Sequence, residues 1–269
     1  MSSIGTGYDQ ECITLSPDGR VFQVEYAAKA ADNSGTALGL RCSNGVIIAV
    51  DKPLTSATMV PTTNRRVHNI APHIGMTCAG LLSDSLYVLD NARRDAASFL
   101  STWSESIPVR KMADRTGEFV HTFTLHAHRR ALGCSLLIAG TDGEKYGDEC
   151  RPQLYGVDPT GMVRGYFATA IGRNKQNVRA ELEKIAGPER EIPCDEEAVK
   201  KLVKILVDSR ENAKKDSSIA GSFSSSVRWK IEMMWISKNT DWKCVRIPDQ
   251  IIEDAVVAAN QDQDADDEL

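Results

Sequence analysis

The chain has 269 residues, 42% of them hydrophobic, which is enough for one large domain or two small ones with a sizeable core. Its 32 basic and 37 acidic residues give a net charge of −5. Five of the acids (Asp262, Asp264, Asp266, Asp267 and Glu268) lie at the very end, so the body balances at 32 against 32 and carries no nucleic-acid footprint. Seven cysteines stand singly without a C-x-x-C, which argues against a zinc module or a disulfide framework. No apolar run approaches the roughly 18 residues of a membrane span, and the N-terminus lacks a basic-then-apolar signal. The expectation is a soluble intracellular chain in a reducing compartment.

Residues 1–15 have little apolar surface and no periodicity, and read as a frayed terminus. Ser16-Pro17-Asp18-Gly19 is turn chemistry. From Arg20 the pattern turns helical. Val21, Val24, Ala28 and Ala31 make one stripe, Phe22 and Tyr26 lie on a neighbouring face, and Glu25 and Lys29 are spaced to pair. Asn33-Ser34-Gly35 stops the helix. A helix of about twelve residues is marginal alone, so it must dock on something.

Thr36–Arg41 and Gly45–Asp51 read as strands around an Asn44-Gly45 turn. Val46–Val50 is nearly all apolar, which predicts cover on both faces. A second strand pair follows at 67–70 and 74–78, with Pro72 in its turn. On residues alone, Arg65-Arg66 before it reads as a solvated strand edge. One helix is expected over 82–100 (Leu82, Leu86, Leu89, Ala92, Ala96, Phe99). A second spans 108–126, with Pro108 at its first position and a stripe through Val109, Met112, Ala113, Thr116, Val120 and Phe123. His121, His126 and His128 lack four-apart ligand spacing and read as surface or helix-end histidines rather than a metal site.

Residues 133–140 read as a buried strand, and 141–152 as a polar loop without calcium-loop spacing. A hairpin over 153–157 and 162–167 turns at Asp158-Pro159-Thr160-Gly161, type I or II by composition. Ala170-Ile171-Gly172 is expected to lead into a helix ending near Ile185. Another helix covers 195–214, and 217–226 is a Ser-rich surface loop. Trp229, Ile231, Met233 and Trp235 alternate as one strand face. A short strand at 245–247, a helix at 249–259 and a disordered acidic tail complete the chain. This order gives an α+β fold with two sheets and two helix layers.

Tyr8-Asp9, Ser16-Pro17-Asp18-Gly19-Arg20 and Gln23-Val24-Glu25-Tyr26-Ala27 together resemble the N-terminal signature of proteasome alpha subunits. The likeness runs on to about Ala259. It departs at Leu15, where the family has an aromatic residue, and at Gln10, where it has Arg. The resemblance implies a four-layer αββα sandwich of the N-terminal-nucleophile hydrolase type. Its parts would be a gate tail at 1–19, a subunit domain at 20–259 and an acidic tail at 260–269. Within the domain, the N-terminal helix takes 20–32, the sandwich 35–247 and the C-terminal helix 248–259. The implied role is a non-catalytic structural subunit of the 20S alpha ring, supporting intracellular protein degradation in the cytoplasm and nucleus. The implied partners are other alpha subunits in a seven-membered ring, beta subunits, and the regulatory particle or other activators. Nucleic acid, membrane, metal and cofactor are not expected.

Site residues follow from the same resemblance. Catalytic beta subunits begin with a Thr whose amine and hydroxyl make a base–nucleophile pair. Aligning on Gly45 and Asp51 puts Gly35 at that position, while the nitrogen of Thr36 sits in a peptide bond. Asp51 matches an active-site Asp, but reads as a strand-end turn carboxylate. The gate cluster maps to Tyr8, Asp9, Pro17 and Tyr26. The pocket for activator C-terminal carboxylates maps to Gly35, Arg66, Gly80 and Leu81, with Arg66 in place of the usual Lys. Two rival readings are an active threonine hydrolase using Thr36 and a free-standing binding module.

Overall fold

The apolar run Val46–Val50 decides the layering. Successive strand residues face opposite ways, and all five are buried. Such a strand needs cover on both sides. The computed structural model describes residues 7–54, 56, 58–60, 62–142, 151–187, 193–215 and 228–267. Through them the chain runs α1 (Phe22–Asp32), β1 (Ala37–Cys42), β2 (Gly45–Leu54), β3 (Val67–Ala71), β4 (Ile74–Gly80), α2 (Leu82–Trp103) and α3 (Val109–Thr124). It continues with β5 (Cys134–Thr141), β6 (Pro152–Val157), β7 (Val163–Gly165), β8 (Ala168–Ile171), α4 (Lys175–Ile185), α5 (Glu196–Lys215), β9 (Arg228–Ser237), β10 (Val245–Arg246) and α6 (Asp249–Asp267).

Two antiparallel five-stranded sheets form, in the orders β10-β9-β2-β1-β8 and β3-β4-β5-β6-β7. On β2, Ile47 and Ala49 pack with Val178, Leu202 and Ile252 of α4, α5 and α6. Val46, Ile48 and Val50 pack with Leu137, Ala139 and Leu154 of the second sheet. The far face of that sheet, with Met76 and Leu136, covers Val88 of α2 and Met112 of α3. The result is the expected αββα sandwich.

Several local readings are corrected. The β1–β2 turn is Ser43-Asn44, since Cys42 already pairs with Gly45. Gly45 is needed because a Cβ there would sit 2.5 Å from the Ile236 carbonyl oxygen of β9. Residues 168–171 form strand β8 on β1 rather than the approach to a helix, and α4 starts only at Lys175. The stretch is four residues long, too short for its period to separate strand from helix. The turn at Asp158 is type I: Gly161 N donates to Asp158 O at 2.9 Å, and Gly161, not Thr160, takes the positive φ. Pro108 is the N-cap of α3 rather than its first residue. On α2, Leu86 faces solvent, while Ser85, Val88, Leu89, Ala92 and Phe99 make the buried stripe. Glu25 pairs with Arg20, not Lys29. Backbone α6 runs past 259 to Asp267, through the stretch expected to be disordered, because no Gly or Pro follows Pro248 to stop it. The Ser-rich 217–226 lies outside the described residues.

The alternation on β9 is real, but both of its faces are buried. Ile231 and Met233 face the helices, while Met234 and Ile236 face the other sheet. On the same strand sits Glu232, 2% exposed. Its Oε1 accepts from Lys52 Nζ at 2.6 Å and Arg246 Nη2 at 2.7 Å, and its Oε2 accepts from the Arg66 amide at 3.0 Å. Lys52 is fully buried on β2 and also donates to Asn64 O at 2.5 Å. Burial pushes the Glu232 carboxyl up, but the Arg66 amide and the Lys52 ammonium outweigh it and hold it below the usual range. Burial likewise lowers Lys52.

Removing one partner of such a pair leaves the other charge buried alone. Glu232→Gln should therefore cost about 3–5 kcal/mol at pH 7. Because the folded carboxyl is held below its ordinary value of about 4.3, its contribution is complete above that pH and is lost as pH falls through the folded value. The gap between wild type and variant should narrow below about pH 4. Urea unfolding followed by tryptophan fluorescence at the two pH values measures both effects, and equal stability at pH 7 would contradict them.

Candidate functional site

Gly35 sits just before β1, where the backbone of β2 crowds it. A Cβ there would lie 2.1 Å from the Asp51 carbonyl oxygen, so no side chain fits without moving the strand. Its neighbour Thr36 is buried, and Thr36 Oγ1 donates to Arg173 O at 2.7 Å. Asp51 is not a turn carboxylate. It lies within β2, 2% exposed, with both oxygens on Arg210 of α5 at 2.6 and 2.7 Å. Burial pushes its carboxyl up, and the guanidinium offsets part of that rise. The signal missed in the sequence was the ion pair itself, which joins positions 159 residues apart.

The four residues mapped to a pocket do come together. Arg66 is 9% exposed, which overturns its reading as a solvated edge. Glu232 takes its amide, and Arg66 Nη1 donates to Gly80 O at 3.0 Å. Arg66 Nε is buried without a partner among the described residues. Gly80 has φ +113, and a Cβ on it would lie 2.2 Å from Gly133 O, so only glycine fits. Its amide donates to Ser34 Oγ at 2.6 Å, next to Gly35. Leu81, 45% exposed, precedes α2 as its N-cap, and its amide donates to Gly133 O at 2.9 Å.

Asp84, in the first turn of α2, secures this rim. It accepts from the Gly133 amide at 2.9 Å and from Arg130 at 2.6 and 2.7 Å. Burial would raise its carboxyl, but Arg130 and the Gly133 amide together hold it low.

The N-terminal cluster is assembled only in part. Tyr26 OH reaches Asp9 Oδ2 at 3.5 Å, and Gln23 Nε2 donates to Asp9 O. Tyr8 is 38% exposed and Tyr26 41% exposed. Pro17 stands on an exposed turn closed by Gly19 N to Ser16 O at 2.8 Å. Two contributors were not foreseen. Gln23 pins the backbone of the tail to α1. Cys12, 3% exposed, packs on Ala27 and Ala131, and its Sγ accepts from the Ala131 amide at 3.1 Å. Of the stretch read as frayed, Asp9 and Cys12 are therefore anchored, to α1 and to Ala131. A lone Cys in a polar run was the available hint, since free Cys is among the most buried residue types. Of the three histidines, His121 and His126 are exposed and His128 is exposed too. Among the described residues, no three His, Cys, Asp or Glu gather as a metal site would need.

Comparison with known proteins places this architecture. A family model for the N-terminal signature of A-type proteasome subunits matches residues 8–30, and the general model for proteasome subunits matches residues 31–220. Over 269 residues the chain is 38% identical to the alpha type-3 proteasome subunit of Spinacia oleracea, spanning 99% of this chain and 100% of that protein. It is 36% identical to the alpha type-3 subunit of Drosophila melanogaster, spanning 100% and 99% of the two chains. Against the probable alpha type-7 proteasome subunit of Saccharomyces cerevisiae the identity is 35%, over 100% and 88%. The sandwich is thus the N-terminal-nucleophile hydrolase fold of the proteasome, and the chain belongs to its alpha subunits, structural members of the 20S ring that assemble with other alpha and with beta subunits.

Proposed function

We propose that this chain is a wall of the ring without chemistry of its own, that its N-terminal tail helps close the substrate gate, and that it contributes one activator-docking pocket. The observation that carries the non-catalytic reading is the crowding at Gly35. The position that would hold a Thr nucleophile has no room for a Cβ. Thr36, the adjacent hydroxyl, is tied to Arg173 O and carries an acylated nitrogen. Asp51 is occupied by Arg210. Incubating the full chain with a Thr-directed electrophile should leave Thr36 unmodified, and an adduct there would favour the hydrolase rival. The proposed setting is the cytoplasm and nucleus, and the six described cysteines, all free thiols, fit a reducing compartment.

The docking role rests on Arg66. One guanidinium nitrogen is spent on Gly80, while Nε has no partner among the described residues. A terminal carboxylate would complete it, and a guanidinium can grip a carboxylate with two bonds. Arg66→Ala should weaken binding of an activator tail peptide to isolated rings about ten- to a hundred-fold. That corresponds to roughly 1.5–3 kcal/mol for a charge-assisted bond. Arg66→Lys should retain part of it. The check is peptide binding at low and high salt, and unchanged affinity for Arg66→Ala would refute the role.

The gate role rests on the Asp9–Tyr26 contact and on the anchoring of the tail at Gln23 and Cys12. Deleting residues 1–7 spares both anchors. The complex should then assemble normally and hydrolyse small peptides faster without activator. Deleting 1–33 removes the anchors and α1, and should lower incorporation into rings. Native mass spectrometry of the assembled complex, with a fluorogenic peptide assay, measures both, and normal assembly of the longer deletion would contradict this account.

A further inference from the structure

A cleft of about 280 Å³ opens where α1, β6, β7, β8 and the start of α4 meet. It is separate from the Arg66 pocket and from the Asp9–Tyr26 contact. Its charges do not cancel. Asp32 is matched by Lys175 Nζ at 2.6 and 2.7 Å, and Asp158 by Arg164 Nη1 at 3.6 Å. Arg179 is left over. Its Nε donates to Ala170 O at 2.9 Å, which fixes the guanidinium against β8, and among the described residues it has no carboxylate. Thr169 also lines the cleft. It is 2% exposed, and among the described residues its Oγ1 has no hydrogen-bond partner. A buried hydroxyl without a partner destabilises the isolated chain, so a partner that arrives on assembly is a physical reason for it to be there.

The location says what that partner is. Helix layers cover the outer faces of both sheets, whereas β7 and β8 are the outermost strands on one shared flank. A closed ring joins its members through such unlike flanks, each member presenting one side to the next. Met162, 50% exposed, and Phe167, 46% exposed, lie on this flank. We propose that the cleft receives an acidic side chain of the neighbouring alpha subunit. Its carboxylate is held by the guanidinium of Arg179, and the Thr169 hydroxyl is satisfied directly or through a water carried in with the acid. This assignment rests on the ring role of the chain.

The test replaces Met162 by a benzophenone amino acid in the full chain, isolates 20S complexes, irradiates them and maps the cross-linked peptides. The expected product joins position 162 to a segment of one other alpha subunit that contains Asp or Glu. Arg179→Gln, which keeps a donor for Ala170 O but removes the charge, should cut the yield at least five-fold. Thr169→Val should lower the yield while leaving the melting temperature of the isolated chain unchanged or higher. Cross-links only to a beta subunit or to a non-proteasome protein would overturn the assignment. So would the absence of any cross-link, or a yield unaffected by both variants. If the unsubstituted chain is missing from 20S complexes, the ring role itself falls and this assignment with it. If the chain is present but cross-links elsewhere, only the cleft assignment falls.

Discussion

Glu232 is a negative charge held between two sheets, and much of the interior is arranged to keep it there. Burying a lone carboxylate is prohibitive. This one is tolerable because an ammonium, a guanidinium and a backbone amide converge on its two oxygens. Lys52 and Arg246 reach it from β2 and β10 of its own sheet. The Arg66 amide reaches it from the start of the other sheet. One carboxylate therefore sets the position of β3 relative to β9, and fixes the backbone that carries the Arg66 side chain. The apolar layer between the sheets supplies most of the burial. The Glu232 cluster is directional in a way that Val and Leu contacts are not, and so specifies one alignment of the sheets.

A second constraint is steric and acts on the same face. Gly35 and Gly80 are places where two pieces of backbone come closer than a side chain allows. Ser34 Oγ joins the two segments through the Gly80 amide. Catalysis by a first-residue Thr needs a free amine, a side chain and space at this point. On the proposed reading, the same crowding that denies such chemistry makes a firm floor for the Arg66 pocket. The Asp51–Arg210 pair follows a similar logic. On the same proposed reading, Asp51 is not free to assist a nucleophile, since both of its oxygens are bound to Arg210 of α5.

The elements that were legible were those whose own residues repeat. Val46–Val50, the stripe of α3 and the signature from Tyr8 to Ala27 each carry their information locally, and the layers and family followed from them. What could not be read was relational. Arg66 looks like a surface arginine until Gly80 and Glu232 are brought beside it. Asp51 looks like a turn residue because Arg210 is so distant in sequence. Strand β8 has four residues, and its identity is decided by pairing with β1 rather than by propensity. Asn44-Gly45 reads as a turn signal, whereas close approach of β9 is what excludes other residues at Gly45. Gln23 acts through one contact with the Asp9 backbone, which leaves no pattern to detect, and Cys12 offers only its residue type as a hint.

The stretch from Val163 to Ile171 pairs with β6 in one sheet and then with β1 in the other. Across the sandwich, Cys244 N donates to Pro72 O at 2.7 Å, joining the approach to β10 with the β3–β4 turn. The two sheets are thus riveted along both margins, and neither can slide over the other without breaking a rivet. Shear, a common way for layered proteins to accommodate a load, would here have to break the Cys244–Pro72 bond at one margin and strain the Val163–Ile171 crossover at the other, so sliding of the sheets is opposed at both edges rather than at one.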